Sequence, residues 1–266
     1  MTQFIVVEKE SHATIITLNR PEVFNALHPP AHMELESAFD EFAADPDQWI
    51  AIITGAGERA FCAGNDLKYT AAGNKLEAGP RGFAGLTARF DLTKPVIAAV
   101  NGLAMGGGFE IALACDLVIA SANAEFALPE PRVGLVALTG GVHRLPKQIP
   151  LKQAMGMMLT GHRVSAQRGL EMGFVTEIAP VGQALSAAKR WAAEISECSP
   201  MAVRATKEAI YHGLDVSVAE AWADQLDQVA MKALFSSWDI QEGPRAFAEK
   251  RKPRWLSNRN GLHHHQ

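Results

Sequence analysis

The sequence has few aromatic residues, few cysteines, no excess of basic charge and no long uninterrupted apolar run. Aromatic residues make up 7% of its 266 residues, so a core drawn from 48% hydrophobic content must consist largely of Ala, Val, Ile and Leu. A net charge of −4 is unlike the basic balance of general nucleic-acid binders. The most apolar stretch, residues 95–120, contains Asn101, Glu110 and Asp116, which excludes it as a membrane span.

Other absences narrow the chemistry. Cys62, Cys115 and Cys198 are too few and too widely spaced for a disulfide framework or a cysteine metal site, and they predict a reducing compartment. No basic segment followed by an apolar one marks a leader, so we expect a cytoplasmic protein. The dinucleotide-binding, Walker and Gly-x-Ser-x-Gly patterns are missing, and no His, Cys and Asp cluster has metal spacing. We therefore expect no metal.

Short β-rich runs alternate with helical stretches through the first half of the chain, and a few short helices and a last strand follow in the second half. The strands are predicted at residues 4–9, 13–18, 49–54, 95–100, 117–120 and 174–178, with helices at 30–44, 107–115, 139–148, 151–159 and 165–172. The first two strands are expected to form a hairpin, and strands joined by helices predict parallel pairing. Residues 69–83 lack a period and are either a flexible surface excursion or a substrate lid.

The second half becomes helical, with predicted helices at 183–198, 200–212, 217–234 and 238–250. The third of these carries a stripe of apolar residues at helical spacing. A core face is the favoured interpretation of the stripe, and a contact between subunits is the alternative. Its members are Val218, Trp222, Leu226 and Val229.

Two glutamates and a run of glycines are the candidates for chemistry. Gly106, Gly107 and Gly108 open a helix whose N-terminal amides can stabilise negative charge, although a tight turn explains glycines equally well. Glu110 follows them in an otherwise apolar helix, where an acid is paired, exposed or functional. Glu130, after a proline, is alone no more than an ordinary acid. Residues 60–68 offer further backbone amides, and two glutamates with amides from two segments suit proton transfer beside a carbonyl.

These segments, taken in order, resemble the enoyl-CoA hydratase/isomerase (crotonase) family nearly end to end. The resemblance implies an α/β fold, a spiral of strand–strand–helix (ββα) repeats over residues 1–200, with a helical trimerisation region over 201–266. It also implies trimers or dimers of trimers and an acyl-coenzyme A substrate, with no separate cofactor because coenzyme A enters as part of the substrate. The matching motifs are Asn19-Arg20-Pro21, Asn25-Ala26-Leu27, Phe61-Cys62-Ala63-Gly64-x-Asp66-Leu67, Lys94 to Gly102, Gly106-Gly107-Gly108-x-Glu110, Cys115-Asp116, Pro129-Glu130 and Ala246 to Arg251.

The resemblance also implies roles for individual residues. Glu110 would take a proton from water and Glu130 would give one to C2, a division that belongs to the pair. The amides of Asn65 and Gly107 would form an oxyanion hole. Backbone groups near residues 65–68 would line the coenzyme A path, and two C-terminal residues would touch the adenine end of a neighbouring subunit's ligand. The implied substrate-binding residues are Ala63, Asp66, Leu67, Lys68, Leu138, Phe247 and Lys250.

The glutamate pair, twenty residues apart, favours a hydratase or the reverse dehydratase, since isomerases of the family commonly keep only the second glutamate. One departure concerns the loop after Glu130, where Ala137 and Leu138 stand in place of Pro and Gly. We expect an amide near Leu138 to position water and its side chain to reshape the pocket, and we expect Arg144 to brace the loop. Residues 140–147 and 242–247 resemble carnitinyl-CoA dehydratase-like members. A third hypothesis, a family member that binds RNA, is disfavoured by the acidic balance.

Overall fold

The computed structural model describes residues 4–73 and 79–256. Within these ranges the strands are β1 (Ile5–Glu10), β2 (Ala13–Leu18), β3 (Ile50–Gly55), β4 (Ala60–Cys62), β5 (Val96–Val100), β6 (Leu103–Met105), β7 (Leu117–Ser121), β8 (Glu125–Ala127), β9 (Val164–Ser165) and β10 (Glu177–Ala179). The helices are α1 (Pro29–Ala44), α2 (Leu67–Ala71), α3 (Gly107–Ala114), α4 (Gly141–Gln148), α5 (Leu151–Thr160), α6 (Ala166–Met172), α7 (Ala184–Ser196), α8 (Pro200–Gly213), α9 (Val218–Asp224), α10 (Val229–Phe235) and α11 (Asp239–Ala248).

The strands form two sheets that the chain visits in turn. A six-stranded sheet has the order β1-β2-β3-β5-β7-β10, and a four-stranded sheet has the order β4-β6-β8-β9. The β1–β2 pair is an antiparallel hairpin, as predicted, and the rest of the large sheet is parallel. Each of the pairs β3/β4, β5/β6 and β7/β8 places its first strand in the large sheet and its second in the small one. The chain therefore advances as a spiral of ββα turns, which confirms the predicted fold.

The core lies on both faces of the large sheet. Strands β3 and β5 are buried along their whole length, as expected for parallel strands covered on both sides. One face packs against α1 and α3, and the other is covered by α7 through Ala187, Ala188 and Ala192. Small side chains at these three positions let the helix approach the sheet closely.

Helix α8 connects the helical C-terminal region to the sheet. Its Lys207 Nζ lies 2.7 Å from Asp116 Oδ2, and its Tyr211 hydroxyl donates to Asp116 Oδ1 at 3.1 Å. Asp116 also accepts the Val96 amide at 2.7 Å, so one carboxylate joins β5, β7 and α8. Helix α8 begins at Pro200 with Ser199 as its N-cap, close to the predicted boundary. The division of the chain into two regions at residue 200 stays a prediction.

Three predicted elements differ from the structure. Helix α4 begins at Gly141 rather than at residue 139, and β10 occupies Glu177–Ala179 rather than 174–178. The helix predicted over 217–234 is broken by a 3-10 turn at Gln225–Asp227. Short breaks of this kind depend on side-chain packing, and helical periodicity does not register them.

The prediction of a core face for the apolar stripe on α9 and α10 is wrong for the single chain. The four side chains are 83%, 74%, 61% and 78% exposed, for Val218, Trp222, Leu226 and Val229 in that order. Spacing identifies an apolar face of a helix but not the surface that covers it. In the described part of this chain nothing covers the stripe, so the alternative of a contact between subunits stays open.

The described residues also bear on two general expectations. None of their helices is both long enough and apolar enough to cross a membrane. Of the segment predicted as an excursion or a lid, residues 74–78 lie outside the described ranges. The chain returns to the core at Phe83, which is fully buried.

Candidate active site

Glu110 is a buried carboxylate with hydrogen-bond donors on both oxygens. It lies in the first turn of α3 and is 3% exposed. The Gly141 amide donates to Glu110 Oε1 at 2.8 Å, and the Thr139 hydroxyl donates to Glu110 Oε2. A buried acid needs such partners, because removing charge from water is costly unless hydrogen bonds replace the solvent. Glu110 is therefore held in one orientation by a loop that lies about thirty residues further along the chain.

The start of α3 requires glycine for two reasons. Gly106 has φ +54°, a left-handed conformation that favours glycine, and its carbonyl accepts the Glu110 amide at 3.0 Å. At Gly108 an added Cβ would lie 2.0 Å from the Cys62 carbonyl oxygen, so α3 packs directly onto β4. The close approach brings the N-terminal amides of α3 beside the segment that follows β4.

Glu130 is the second carboxyl group of the site, and it lies in a different environment. It begins a 3-10 turn directly after Pro129 and is half-buried. Its Oε2 atom is buried without a hydrogen-bond partner among the described residues. Burial raises the pKa of Glu130 from 4.5 to about 7, a backbone hydrogen bond opposes this rise, and the nearby charge of Glu110 adds to it. Glu130 can therefore hold or release a proton near neutral pH, which a solvated glutamate cannot do.

The segments that carry Asn65 and Gly107 lie side by side. The Leu27 amide donates to Gly64 O and the Asp66 amide to Leu27 O, each at 2.8 Å. Because these bonds occupy the groups on either side of Asn65, the Asn65 N–H points away from Leu27. A Cβ at Gly64 would lie 3.0 Å from the Gly107 nitrogen, and the Gly107 amide stands in the first turn of α3, where amides lack an intrahelical partner.

The ring of Phe83 packs against Gly107 from the other side. A Cβ added to Gly107 would lie 2.5 Å from Phe83 Cζ. Phe83 is fixed in turn by its own amide, which donates to the Thr87 hydroxyl at 2.8 Å, and by the ring of His32. Phe83 lies at the end of residues 69–83, which have no periodic pattern, and the sequence did not predict this contact.

The predicted coenzyme A segment follows Asn65 directly. Asp66 binds Arg20 in an ion pair of 3.0 Å, and the Ala63 amide donates to Phe24 O at 3.0 Å, so both ends of this loop are anchored. Leu67 and Lys68, at the start of α2, are exposed. The structure thus brings this segment to the Asn65 side of the site and leaves its outer residues at the surface.

Phe247 and Lys250 lie apart from these residues. They stand at the end of α11, where the Phe247 side chain is 88% exposed. No hydrogen bond or ion pair recorded for residues 4–73 and 79–256 joins either of them to the two glutamates. Their predicted contact with a ligand in a neighbouring subunit remains a prediction.

The loop before α4 corrects one expectation. The Leu138 amide donates to Val136 O at 2.8 Å, so it is already bonded and is unlike the water-positioning amide that we expected near this residue. The amide that reaches a glutamate belongs to Gly141. The guanidinium of Arg144, which we expected to brace this loop, donates to Thr87 O at 2.7 Å and so ties α4 to residues 82–93. Its bracing of the loop stays a prediction.

A groove of about 680 Å³ opens beside this loop. Leu138, with its side chain 76% exposed, lines it together with Thr139, and α4, α8 and residues 82–93 form the other walls. Thr139 lines the groove and donates to Glu110, whereas neither glutamate is itself among the residues that line the groove. Sequence reasoning missed Thr139 and Gly141. The available signal was a Thr-Gly-Gly run at a predicted helix start, where free amides attract carboxylates.

The described residues contain no group of three or more His, Cys, Asp or Glu side chains that could hold a metal ion. The groups gathered at the site are two carboxyl groups in different environments, two amides from adjoining segments and one hydroxyl. Such a set can move protons at carbons beside a carbonyl group while a developing negative charge is stabilised.

Comparison with known proteins agrees with this fold and site. The family model for enoyl-CoA hydratase/isomerase matches residues 8–258, and the chain belongs to this family. A carnitinyl-CoA dehydratase of Proteus mirabilis (strain HI4320) is 43% identical over 259 residues, which cover 96% of this chain and 99% of the relative. A carnitinyl-CoA dehydratase of Salmonella arizonae is 45% identical over 245 residues, with 90% and 93% covered.

A solved structure supports the same assignment. The crystal structure of an enoyl-CoA hydratase from Mycobacterium tuberculosis H37Rv has a TM-score of 0.90 and 42% identity to this chain, and the match covers 96% of this chain and 99% of the other. The predicted crotonase fold is confirmed by this likeness and by the order of the strands.

Proposed function

We propose that the protein is a hydro-lyase of the enoyl-CoA hydratase type, which adds water reversibly and in the syn sense to a 2-enoyl-CoA thioester to give a 3-hydroxyacyl-CoA. The observation that carries the proposal is the contrast between its two glutamates. Glu110 is buried with a donor on each oxygen, whereas Glu130 has a buried oxygen without a partner and a pKa raised to about 7. Two carboxyl groups whose environments differ in this way are suited to opposite proton-transfer roles.

In the proposed reaction, the oxygen of water bonds to C3 while one of its protons passes to Glu110. The electron pair of the double bond takes a proton from Glu130 at C2. The amides of Asn65 and Gly107 hold the thioester oxygen, where negative charge develops. The glutamate pair carries one proton before and after the step, so the same arrangement serves dehydration in reverse.

The proposed substrate is an acyl-coenzyme A thioester, in accord with the family and with the names of the relatives. Backbone groups around Ala63, Asp66, Leu67 and Lys68 would line the coenzyme A path. The exposed Leu138 would help to shape the space for the acyl group. No separate cofactor is proposed, because coenzyme A arrives as part of the substrate.

We also propose a homotrimer or a dimer of trimers. The exposed apolar stripe on α9 and α10 supports this assembly, because large apolar patches on a chain mark surfaces that meet a partner. Phe247 and Lys250 would then face the adenine end of a ligand held by a neighbouring subunit. A cytoplasmic location is proposed from the three free cysteines, which suit a reducing environment.

Two other reactions compete with hydration of a simple enoyl chain. The two dehydratase relatives favour a carnitinyl-CoA dehydratase-like enzyme, which would use the same pair of glutamates on a different acyl group. A Δ3,Δ2-enoyl-CoA isomerase would need only Glu130, whose pKa near 7 is the property that such a proton shuttle requires.

The experiment that tests the proposal compares Glu110→Gln and Glu130→Gln on crotonyl-CoA, crotonobetainyl-CoA and a 3-enoyl-CoA, following the absorbance of the conjugated thioester. Each variant should lower the rate of hydration by about 10²- to 10⁴-fold, the range typical of a lost general acid or base. Glu171→Gln, at an exposed glutamate on α6, is the matched control and should leave the rate unchanged. If the protein turned over only the 3-enoyl-CoA, and Glu110→Gln did so at the wild-type rate, the protein would be an isomerase and the hydratase proposal would be wrong.

A further inference from the structure

Thr139 lines the groove, and its hydroxyl group donates a hydrogen bond to a proposed catalytic group, Glu110. We propose that Thr139 is a positioning residue for water addition: its hydroxyl keeps the carboxyl group of Glu110 aligned and hydrogen-bonded in both of the protonation states through which Glu110 passes. The inference rests on the proposed hydratase function.

The two donors to Glu110 differ in chemistry. Gly141 supplies a backbone N–H to Oε1 at 2.8 Å, and Thr139 supplies an O–H to Oε2. An amide N–H can only donate. A hydroxyl donates one hydrogen bond and accepts others, and its proton rotates about the C–O bond. At the oxygen that receives the proton, therefore, only a contact like that of Thr139 can persist, whereas the Gly141 N–H can donate only to the oxygen that stays unprotonated.

This difference assigns the proton to one oxygen. In hydration the water O–H bond breaks as the C3–O bond forms, and the proton released passes to Glu110. At Oε1 that proton would compete with the fixed Gly141 N–H. At Oε2 the Thr139 hydroxyl turns and accepts a hydrogen bond from the new carboxylic acid. Glu110 Oε2 is thus the better proton acceptor. The Thr139 hydroxyl accepts a hydrogen bond while Glu110 is protonated, and it donates again once Glu110 has lost that proton.

In the surrounding loop, the neighbouring Leu138 amide does not donate a hydrogen bond to Glu110. The Leu138 amide, one residue earlier, is bonded to Val136 O at 2.8 Å. Thr139 is itself half-buried and is one of the residues that line the groove. Its hydrogen bond to Oε2 and the Gly141 bond to Oε1 together hold the Glu110 carboxyl group in one orientation, which a group that accepts a proton from water requires.

The test compares Thr139→Val, which has the same shape without the hydroxyl, with Thr139→Ser, which restores the hydroxyl. Thr139→Val should lower kcat for hydration by about 10- to 100-fold with KM changed by less than about threefold, because charge-assisted hydrogen bonds to a carboxylate are among the strong ones. Thr139→Ser should restore kcat. Thr206→Val, at an exposed threonine on α8, is the control for the substitution itself.

A second measurement separates this inference from the proposed function. The infrared carboxylate band of Glu110, isolated as the difference between the wild type and Glu110→Gln, should shift in Thr139→Val and return in Thr139→Ser, whatever substrate the enzyme uses. Normal activity and an unshifted band in Thr139→Val would overturn the role of Thr139 and leave the hydratase proposal standing. A shifted band in a protein that hydrates no thioester would refute the proposed function while the hydrogen-bond role survived.

Discussion

Gly106 lies directly against the carboxyl group of Glu130. A Cβ at position 106 would lie 3.0 Å from Glu130 Oε1, closer than ordinary van der Waals contact. The same residue has φ +54° and directly precedes Gly107, the first residue of α3. Its conformation therefore also sets the position of the Gly107 amide. The absence of a side chain at Gly106 therefore affects the positions of two proposed functional groups, the Glu130 carboxyl and the Gly107 amide.

Gly106→Ala should impair catalysis more than stability. The methyl group would push the Glu130 carboxyl away, and a displacement of about 1 Å in a reacting group can cost on the order of 100-fold in rate. The positive φ, together with ψ −124°, lies in a sparsely populated region for alanine and adds about 1–3 kcal/mol of strain. Gly182→Ala is the matched control, because Gly182 has φ +78° and open space around it. Steady-state kinetics and chemical denaturation of both variants test this, and equal loss of activity in the two would contradict the role of Gly106.

The pKa of Glu130 predicts the alkaline side of the pH profile. Its value near 7 means that the pair loses the proton it needs as the pH rises through about 7, so kcat/KM should fall by about tenfold per pH unit above that point. Hydration takes up no net proton, so its equilibrium constant is independent of pH. The dehydration direction must therefore show the same profile. Initial rates in both directions between pH 5 and about 9 provide the measurement, and a flat response above pH 7 would refute the assignment of Glu130.

The exposed stripe predicts a defined change in assembly. Trp222→Glu would place a charge in a surface that is proposed to be buried between subunits, where an unpaired charge is strongly unfavourable. The variant should sediment as a monomer or partly dissociate. Ala223→Glu, at the neighbouring exposed position of α9, should leave the assembly intact. Analytical ultracentrifugation separates these outcomes, and a wild-type monomer would remove the basis for the proposed trimer.

The hydrogen bonds of the Asp116 carboxylate predict that its removal lowers the free energy of unfolding. Asp116→Ala removes the acceptor for the Val96 amide, Lys207 and Tyr211 together and leaves partly buried donors unpaired. The free energy of unfolding should fall by about 2–4 kcal/mol. Glu125→Ala removes a surface ion pair to Arg163 and should cost no more than about 1 kcal/mol. Urea denaturation monitored by tryptophan fluorescence compares the two, and losses of equal size would contradict the special role of Asp116.

Much of the fold was predictable because it depends on local pattern. The buried runs that became β3, β5 and β7 read directly as strands. The helix predicted from residue 165 is α6, whose N-cap Ser165 accepts the Arg168 amide with its hydroxyl. The break at Gln225–Asp227 was missed, because a helical rhythm continues across it. The stripe around Trp222 was given to the core, because periodicity shows that a face is apolar but not what covers it.

The sequence by itself determined the family, the spiral fold and the two glutamates that the family motifs single out. Tertiary structure alone decided which groups surround those glutamates. The Gly141 amide and the Thr139 hydroxyl reach Glu110 from about thirty residues away, and Gly106 makes the space for Glu130. Protonation and hydrogen bonding depend on distances between atoms that are remote in the chain, and chain folding alone sets those distances.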